Sequence, residues 1–167
     1  PNSKTTPDNQ ISKLSANQNL HIQNLQLKTE YLPAVVDALV SEKRVQYREL
    51  QNIKIELTSS HEYNQFVQLN QVEFKRVISN LINNSVEAFQ NQTGVIQLNL
   101  RNRENQAIIE IRDNGKGIPT EIIEKLGTKG FSFGKQNQES GSGIGLYHAK
   151  NIVHLHRGEF DIKSQVG

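Results

Sequence analysis

Eight of the eleven glycines in this 167-residue chain fall between Gly115 and Gly145. Glycine reaches backbone conformations closed to other residues and lets the main chain approach a ligand closely, so such clustering demands a sharp bend or a bound group. The stretch opens with Asp113-Asn114-Gly115-Lys116-Gly117-Ile118-Pro119 and closes with Gly141-Ser142-Gly143-Ile144-Gly145-Leu146, which leads into an apolar-periodic segment. A glycine loop feeding a helix N-terminus offers free N–H groups and the positive end of the helix dipole, the usual way to hold phosphate oxygens. A phosphate-bearing ligand is therefore expected.

Composition narrows the rest. With 35% hydrophobic residues the chain can bury one core, and two full domains are not expected. The absence of cysteine excludes a disulfide scaffold, a Cys-ligated zinc site and a thiol nucleophile. Nineteen basic against seventeen acidic residues leave a net charge of +2, which singles out neither nucleic acid nor a membrane surface as a partner. There is no long apolar run and no signal pattern, so a soluble, cytoplasmic piece without membrane contact is expected. The chain starts at Pro1 and contains no methionine, as expected of a fragment of something longer.

Residues 1–24 are too polar to bury a core and read as a tail or linker, leaving 25–167 as the domain. Leu25 to Tyr31 alternates as a strand. Leu32, Val35, Val36, Leu39, Val40 and Val45 then recur at helical spacing, with Pro33 in the first turn. Lys54 to Leu57 reads as a second strand. Val72 to Phe89 is the longest helical pattern, its apolar face running from Phe74 to Phe89 with Asn80 and Asn84 together at the edge. Val95 to Arg101 and Ala107 to Arg112 form an antiparallel pair through the polar turn Asn102 to Gln106; a helix over Ile144 to His156 and a strand over Glu159 to Ser164 follow. This order predicts a two-layer α/β sandwich, helices on one mixed sheet.

A Walker A loop needs Gly-Lys-Ser/Thr at its end and a dinucleotide fingerprint needs G-x-G-x-x-G after an early strand; neither fits. The signatures of a Ser/Thr/Tyr kinase have no room after Gly145. In order, Asn80-Leu81-Ile82-Asn83-Asn84, Asp113-x-Gly115-x-Gly117, Phe131-Ser132-Phe133 and Gly141-x-Gly143-x-Gly145-Leu146 resemble the N, G1, F and G2 boxes of the ATP-binding domain of sensor histidine kinases. That superfamily is shared with gyrase, a heat-shock chaperone and mismatch-repair ATPases. The resemblance covers Leu25 to the end. It implies ATP or ADP held between the long helix and a lid near residues 118 to 143. Asp113 would accept from the adenine amine, with Gly115, Gly117 and Ile118 beside it; Asn84 would give its oxygen to Mg²⁺, with Asn80 near the phosphates. Thr128, Lys129, Phe131 and Phe133 would line the lid side, and Gly141, Ser142, Gly143, Ile144, Gly145 and Leu146 would wrap the phosphates. The implied partners are a helical dimerisation domain bearing the phosphoacceptor histidine and a response regulator.

Two positions and the final box depart from the common family pattern, and Asn80 separates the branches of the superfamily. Glu87 and Ala88 stand where many members have a basic residue and an aromatic, which removes a stacking platform for adenine. The final Gly-Thr box would follow Gly167, so the last strand is expected to be truncated. Asn80 stands where superfamily ATPases and serine kinases carry a general-base Glu; an amide takes no proton, which favours transfer to a histidine over an autonomous ATPase or serine kinase, with a non-catalytic nucleotide-binding module as the remaining alternative. His61-Glu62 reads as a turn, and His148, His154 and His156 lack metal-ligand spacing.

Overall fold

The computed structural model describes residues 26–59, 65–90, 92–128 and 144–166. Strand β1 (Lys28–Tyr31) runs directly into helix α1 (Leu32–Gln46), whose first turn holds Pro33 and whose last holds Lys43 and Arg44, complementing the dipole. Leu32, Val36, Leu39, Val40 and Lys43 form its buried stripe. Val45, expected on that stripe, is 63% exposed. It lies nine residues from Val36, half a turn round the wheel, whereas the seven-residue step to Lys43 returns to the same face.

Strands β2 (Ile53–Ser59) and β3 (Phe66–Leu69) follow. The second of these was not expected. Four residues of Phe-Val-Gln-Leu show too little alternation to announce a strand, and β3 exists because β1 pairs with it, antiparallel from Lys28↔Leu69 to Tyr31↔Phe66. The rings of Tyr31 and Phe66 sit 5.3 Å apart on this two-stranded sheet, and Gln68 Nε2 donates to Thr29 Oγ1 at 2.6 Å.

Helix α2 (Gln71–Ala88) is capped by Asn70, whose Oδ1 accepts from Glu73 N at 3.0 Å. Strands β4 (Gly94–Arg103) and β5 (Gln106–Asp113) pair antiparallel through Glu104 and Asn105, both with positive φ, the twist-matched two-residue hairpin. The ladder thus runs further into the polar turn than expected. β2 joins β4 in parallel, from Ile53↔Gly94 to Ser59↔Leu100, giving a mixed sheet of order β2-β4-β5. Along β4 the residues Ile96, Leu98 and Leu100 are buried while Gln97 and Arg101 are exposed, so one face meets the helices and the other water. A short turn of helix, α3 (Thr120–Ile123), precedes α4 (Ile144–Leu155), whose Ala149 and Ile152 join the α2 residues Val77, Ile78 and Ile82 in the core. The fold is the expected two-layer α/β sandwich, with the β1–β3 ribbon added beside it.

The strand expected over Glu159 to Ser164 is not formed. Phe160, Ile162 and Ser164 are half-buried between exposed neighbours, the alternation of a strand, but no ladder ties this segment to a neighbour among the described residues. Its side-chain pattern records which face meets the core, where Phe160 packs, without a paired edge. Among the described residues no helix is long and apolar enough to cross a membrane.

Candidate functional site

Asn80 and Asn84 lie half-buried one turn apart on α2, and among the described residues neither amide is engaged in a hydrogen bond. Asn83 is turned the other way. Its Oδ1 accepts from Lys43 Nζ at 2.9 Å and from Tyr47 OH at 2.8 Å, which ties α2 to α1 and leaves Asn80 and Asn84 on the open edge. Lys43 is only 3% exposed and also donates to Gln46 Oε1 at 2.7 Å. Burial pushes its ammonium below the usual lysine range, partly opposed by Glu42, and burial followed by Glu87 pushes the Tyr47 phenol upward.

The turn after β5 is folded onto the end of α2. Lys116 N donates to Ala88 O at 3.2 Å, and a Cβ on Gly115 would stand 2.6 Å from Ala88 Cβ, so only glycine fits this approach. Ala88, small where an aromatic is common, is what the turn rests on. Asp113 Oδ1 accepts from Gly115 N at 3.0 Å, and its Oδ2 accepts from the hydroxyl of Ser85 at 2.9 Å. Ser85 is 5% exposed, while Asp113 itself is exposed rather than sunk in an apolar pocket. Asn114 Oδ1 accepts from Val95 N at 2.7 Å, fastening the turn to the start of β4. Gly117 adopts φ +70°, and a side chain there would strike the Gln165 carbonyl. Ile118 N donates to Ser164 Oγ at 2.9 Å, so residues 159–166 brace the turn from the far side.

Helix α4 closes the site opposite this turn. A Cβ on Gly145 would come within 3.8 Å of Asn80 Nδ2, which places the Asn80 amide against the first turn of α4. Leu146 follows, half-buried. Gly127, buried with φ +74°, approaches the Leu146 carbonyl, and Thr128 is exposed with its Oγ1 donating to Lys125 O at 2.7 Å. Lys129, Phe131, Phe133, Gly141, Ser142 and Gly143 lie outside the described residues, as do the tail to residue 24 and His61-Glu62; of Ile144 only the backbone is described.

Two of the histidines act as fasteners. His148 Nε2 and Glu73 Oε2 stand 2.7 Å apart, both buried, joining α4 to α2, with Arg76 3.9 Å from the same oxygen. His156 accepts at Nε2 from Asn70 N at 3.1 Å and donates from Nδ1 to Ile152 O at 2.7 Å, one neutral tautomer serving both bonds. His154 is exposed, and no group of three metal-binding side chains occurs among the described residues.

The structure thus brings Asn80 to Gly145 and joins Asp113 and Gly115 to the end of α2, while Gly117 rests against Gln165. Ser85 and the anchoring role of Asn83 were missed. The signal for Ser85 was a hydroxyl directly after Asn84, one step from the apolar face.

Residues 69–167 match the family described as histidine kinase-, DNA gyrase B-, and HSP90-like ATPase. The sensor histidine kinase YvrG of Bacillus subtilis is 33% identical over 113 residues, 66% of this chain and 19% of that protein. The chain therefore spans about a fifth of that relative's length. Among solved structures, the mycobacterial sensor histidine kinase MprB superposes with a TM-score of 0.64 at 22% identity, over 78% of this chain and 80% of that one. Histidine kinase ThkA, solved in complex with the response regulator TrrA, gives a TM-score of 0.58 at 20% identity over 75% of this chain and 38% of that one. At these identities the structural likeness is one of fold.

Proposed function

Because the chain belongs to the histidine kinase-, DNA gyrase B- and HSP90-like ATPase family, we propose that it binds Mg²⁺-ATP and presents the γ-phosphate to a phosphoacceptor histidine on a separate helical domain. The observation that carries this reading is the convergence of Asn80 and Asn84, whose amides make no hydrogen bond among the described residues, with the Gly145 end of α4 on one side and the Asp113 turn on the other.

The donor set fits the ligand. A magnesium ion is content with one protein oxygen when phosphates and water fill its remaining positions, and half-buried Asn84 has such an oxygen with no competing carboxylate cluster among the described residues. Mg²⁺ would neutralise charge developing on the transferring phosphoryl group. Asp113, acceptor-only when ionised, selects a base with an amino donor, and the Gly115 and Gly117 backbone bends clear of it. The first turn of α4 supplies N–H groups without intrahelical partners, extended on the sequence side by Gly141, Ser142 and Gly143, with Lys129 as a source of positive charge. Thr128, Phe131 and Phe133 are assigned to the lid.

Asn80 holds no proton-accepting group, so neither water nor a hydroxyl is activated there. The acceptor's own domain must supply the base, which makes this chain a binder that presents the nucleotide to a separate helical domain. A response regulator would then take the phosphoryl group, a partner type present in the ThkA complex. Titration calorimetry tests the reading: Mg²⁺-ATP and ADP should bind, and Asp113→Ala should weaken ATP by about 5- to 150-fold through loss of one charge-assisted acceptor, about 1–3 kcal/mol. Unchanged affinity in Asp113→Ala would remove the adenine assignment.

A further inference from the structure

Ser85 is a buried hydroxyl on α2, placed between the core residues Ile82 and Phe89. A hydroxyl in such a place is destabilising unless it is bonded. Two acceptors are within reach: the carbonyl of Leu81, one turn back at 3.2 Å, and Asp113 Oδ2 at 2.9 Å. The hydroxyl has one proton, and the shorter, charge-assisted bond to the carboxylate takes it. Asp113 is exposed, so its side chain would be free to rotate without such a partner. Instead both oxygens are held, Oδ1 by Gly115 N at 3.0 Å and Oδ2 by Ser85. Each still has a lone pair for a ligand.

We propose that Ser85 is a positioning residue for base recognition: by fixing Asp113 Oδ2 from inside the core, it presents the carboxylate already oriented to a 6-amino donor on the purine. The inference rests on the nucleotide-site reading above. It differs from a merely structural role because a pre-oriented acceptor improves binding only of bases that use it, whereas loss of packing weakens all nucleotides alike.

The test compares ATP with purine riboside triphosphate, which lacks the 6-amino group, by titration calorimetry on the full chain and on Ser85→Ala, Asp113→Asn and the double variant. Ser85→Ala should weaken ATP by about tenfold and the deamino analogue by less than about twofold, and should cost nothing further in the Asp113→Asn background. Ser85→Cys, close in volume but a poorer donor, should show the same selective loss, which guards against a cavity effect in alanine. Equal weakening of both nucleotides, no weakening of either, or an undiminished loss in the Asp113→Asn background would each overturn the proposal. Failure of the unmodified chain to bind ATP would instead refute the underlying nucleotide reading, and that result appears before any variant is compared.

Discussion

Replacing Gly145 by alanine adds a carbon 3.8 Å from Asn80 Nδ2, an ordinary van der Waals contact that the fold accommodates. Gly145 is the second residue of α4, and alanine in a helix is favoured over glycine by up to about 1 kcal/mol, so the variant should melt at or slightly above the wild-type temperature. The added methyl nonetheless occupies the gap between the first turn of α4 and the Asn80 edge, where the phosphates are assigned. ATP affinity should fall at least about tenfold, or about 1.4 kcal/mol. Gly117→Ala should behave in the opposite way. At φ +70° a side chain costs about 1–2 kcal/mol, and the new carbon meets the Gln165 carbonyl, so the backbone must shift and the Ile118–Ser164 bond is strained for about 1 kcal/mol more. For a chain of this size that total lowers the melting temperature by roughly 5–10 °C. Thermal melts followed by far-UV circular dichroism and calorimetric titration with Mg²⁺-ATP measure both quantities on both variants. A Gly145→Ala protein that binds ATP as tightly as wild type refutes the placement of phosphate at α4, and a Gly117→Ala protein that melts with wild type refutes the account of the braced turn.

The isolated chain should bind Mg²⁺-ATP yet release phosphate hardly above background, because general-base assistance worth about 10²- to 10⁴-fold is missing at Asn80. Acid-labile label from γ-labelled ATP should appear only when a helical domain bearing the acceptor histidine is supplied, and steady hydrolysis by the chain alone, abolished in Asn84→Ala, would favour an autonomous ATPase. Burial lowers the Lys43 pKa from 10.5, so between the folded and unfolded values the unfolded chain holds more protons and stability rises with pH. Wild type should therefore gain stability relative to Lys43→Met as pH is raised towards 10.5 in denaturant titrations, and a flat difference would show that the ammonium is not penalised by burial. Asn83→Ala leaves Lys43 and Tyr47 without their shared acceptor and should cost about 1–3 kcal/mol in the same assay, whereas a loss below about 0.5 kcal/mol would show that water replaces Asn83 at both donors.

Long periodic elements were legible because a single period acts over many residues: α1, α2, α4 and the β4–β5 pair all stand within a few residues of where the sequence places them. β3 was not, since its reason to exist is a partner nearly forty residues earlier, and four residues carry no period of their own. Residues 159–164 show the converse error. Alternating exposure reports which side chains face the core, but a strand also needs a paired edge, which a local pattern cannot report. At the site, glycine spacing and the Asp113 position were readable because each is a backbone or single-residue demand. The different duties of adjacent Asn83 and Asn84 were hidden, because the donors that claim Asn83 come from α1, some forty residues away in sequence. Ser85 was hidden for the same reason, its partner being Asp113 at the end of β5, 28 residues further along the chain.

Asn70 joins three parts of the chain with one residue. Its side chain caps α2 and donates from Nδ2 to Gln26 O at 3.1 Å, and its backbone N–H donates to His156 at the end of α4. The consequence is mechanical. The two helices that flank the site share this node with Gln26, so a displacement of Asn70 moves the origin of α2 and the tail of α4 together.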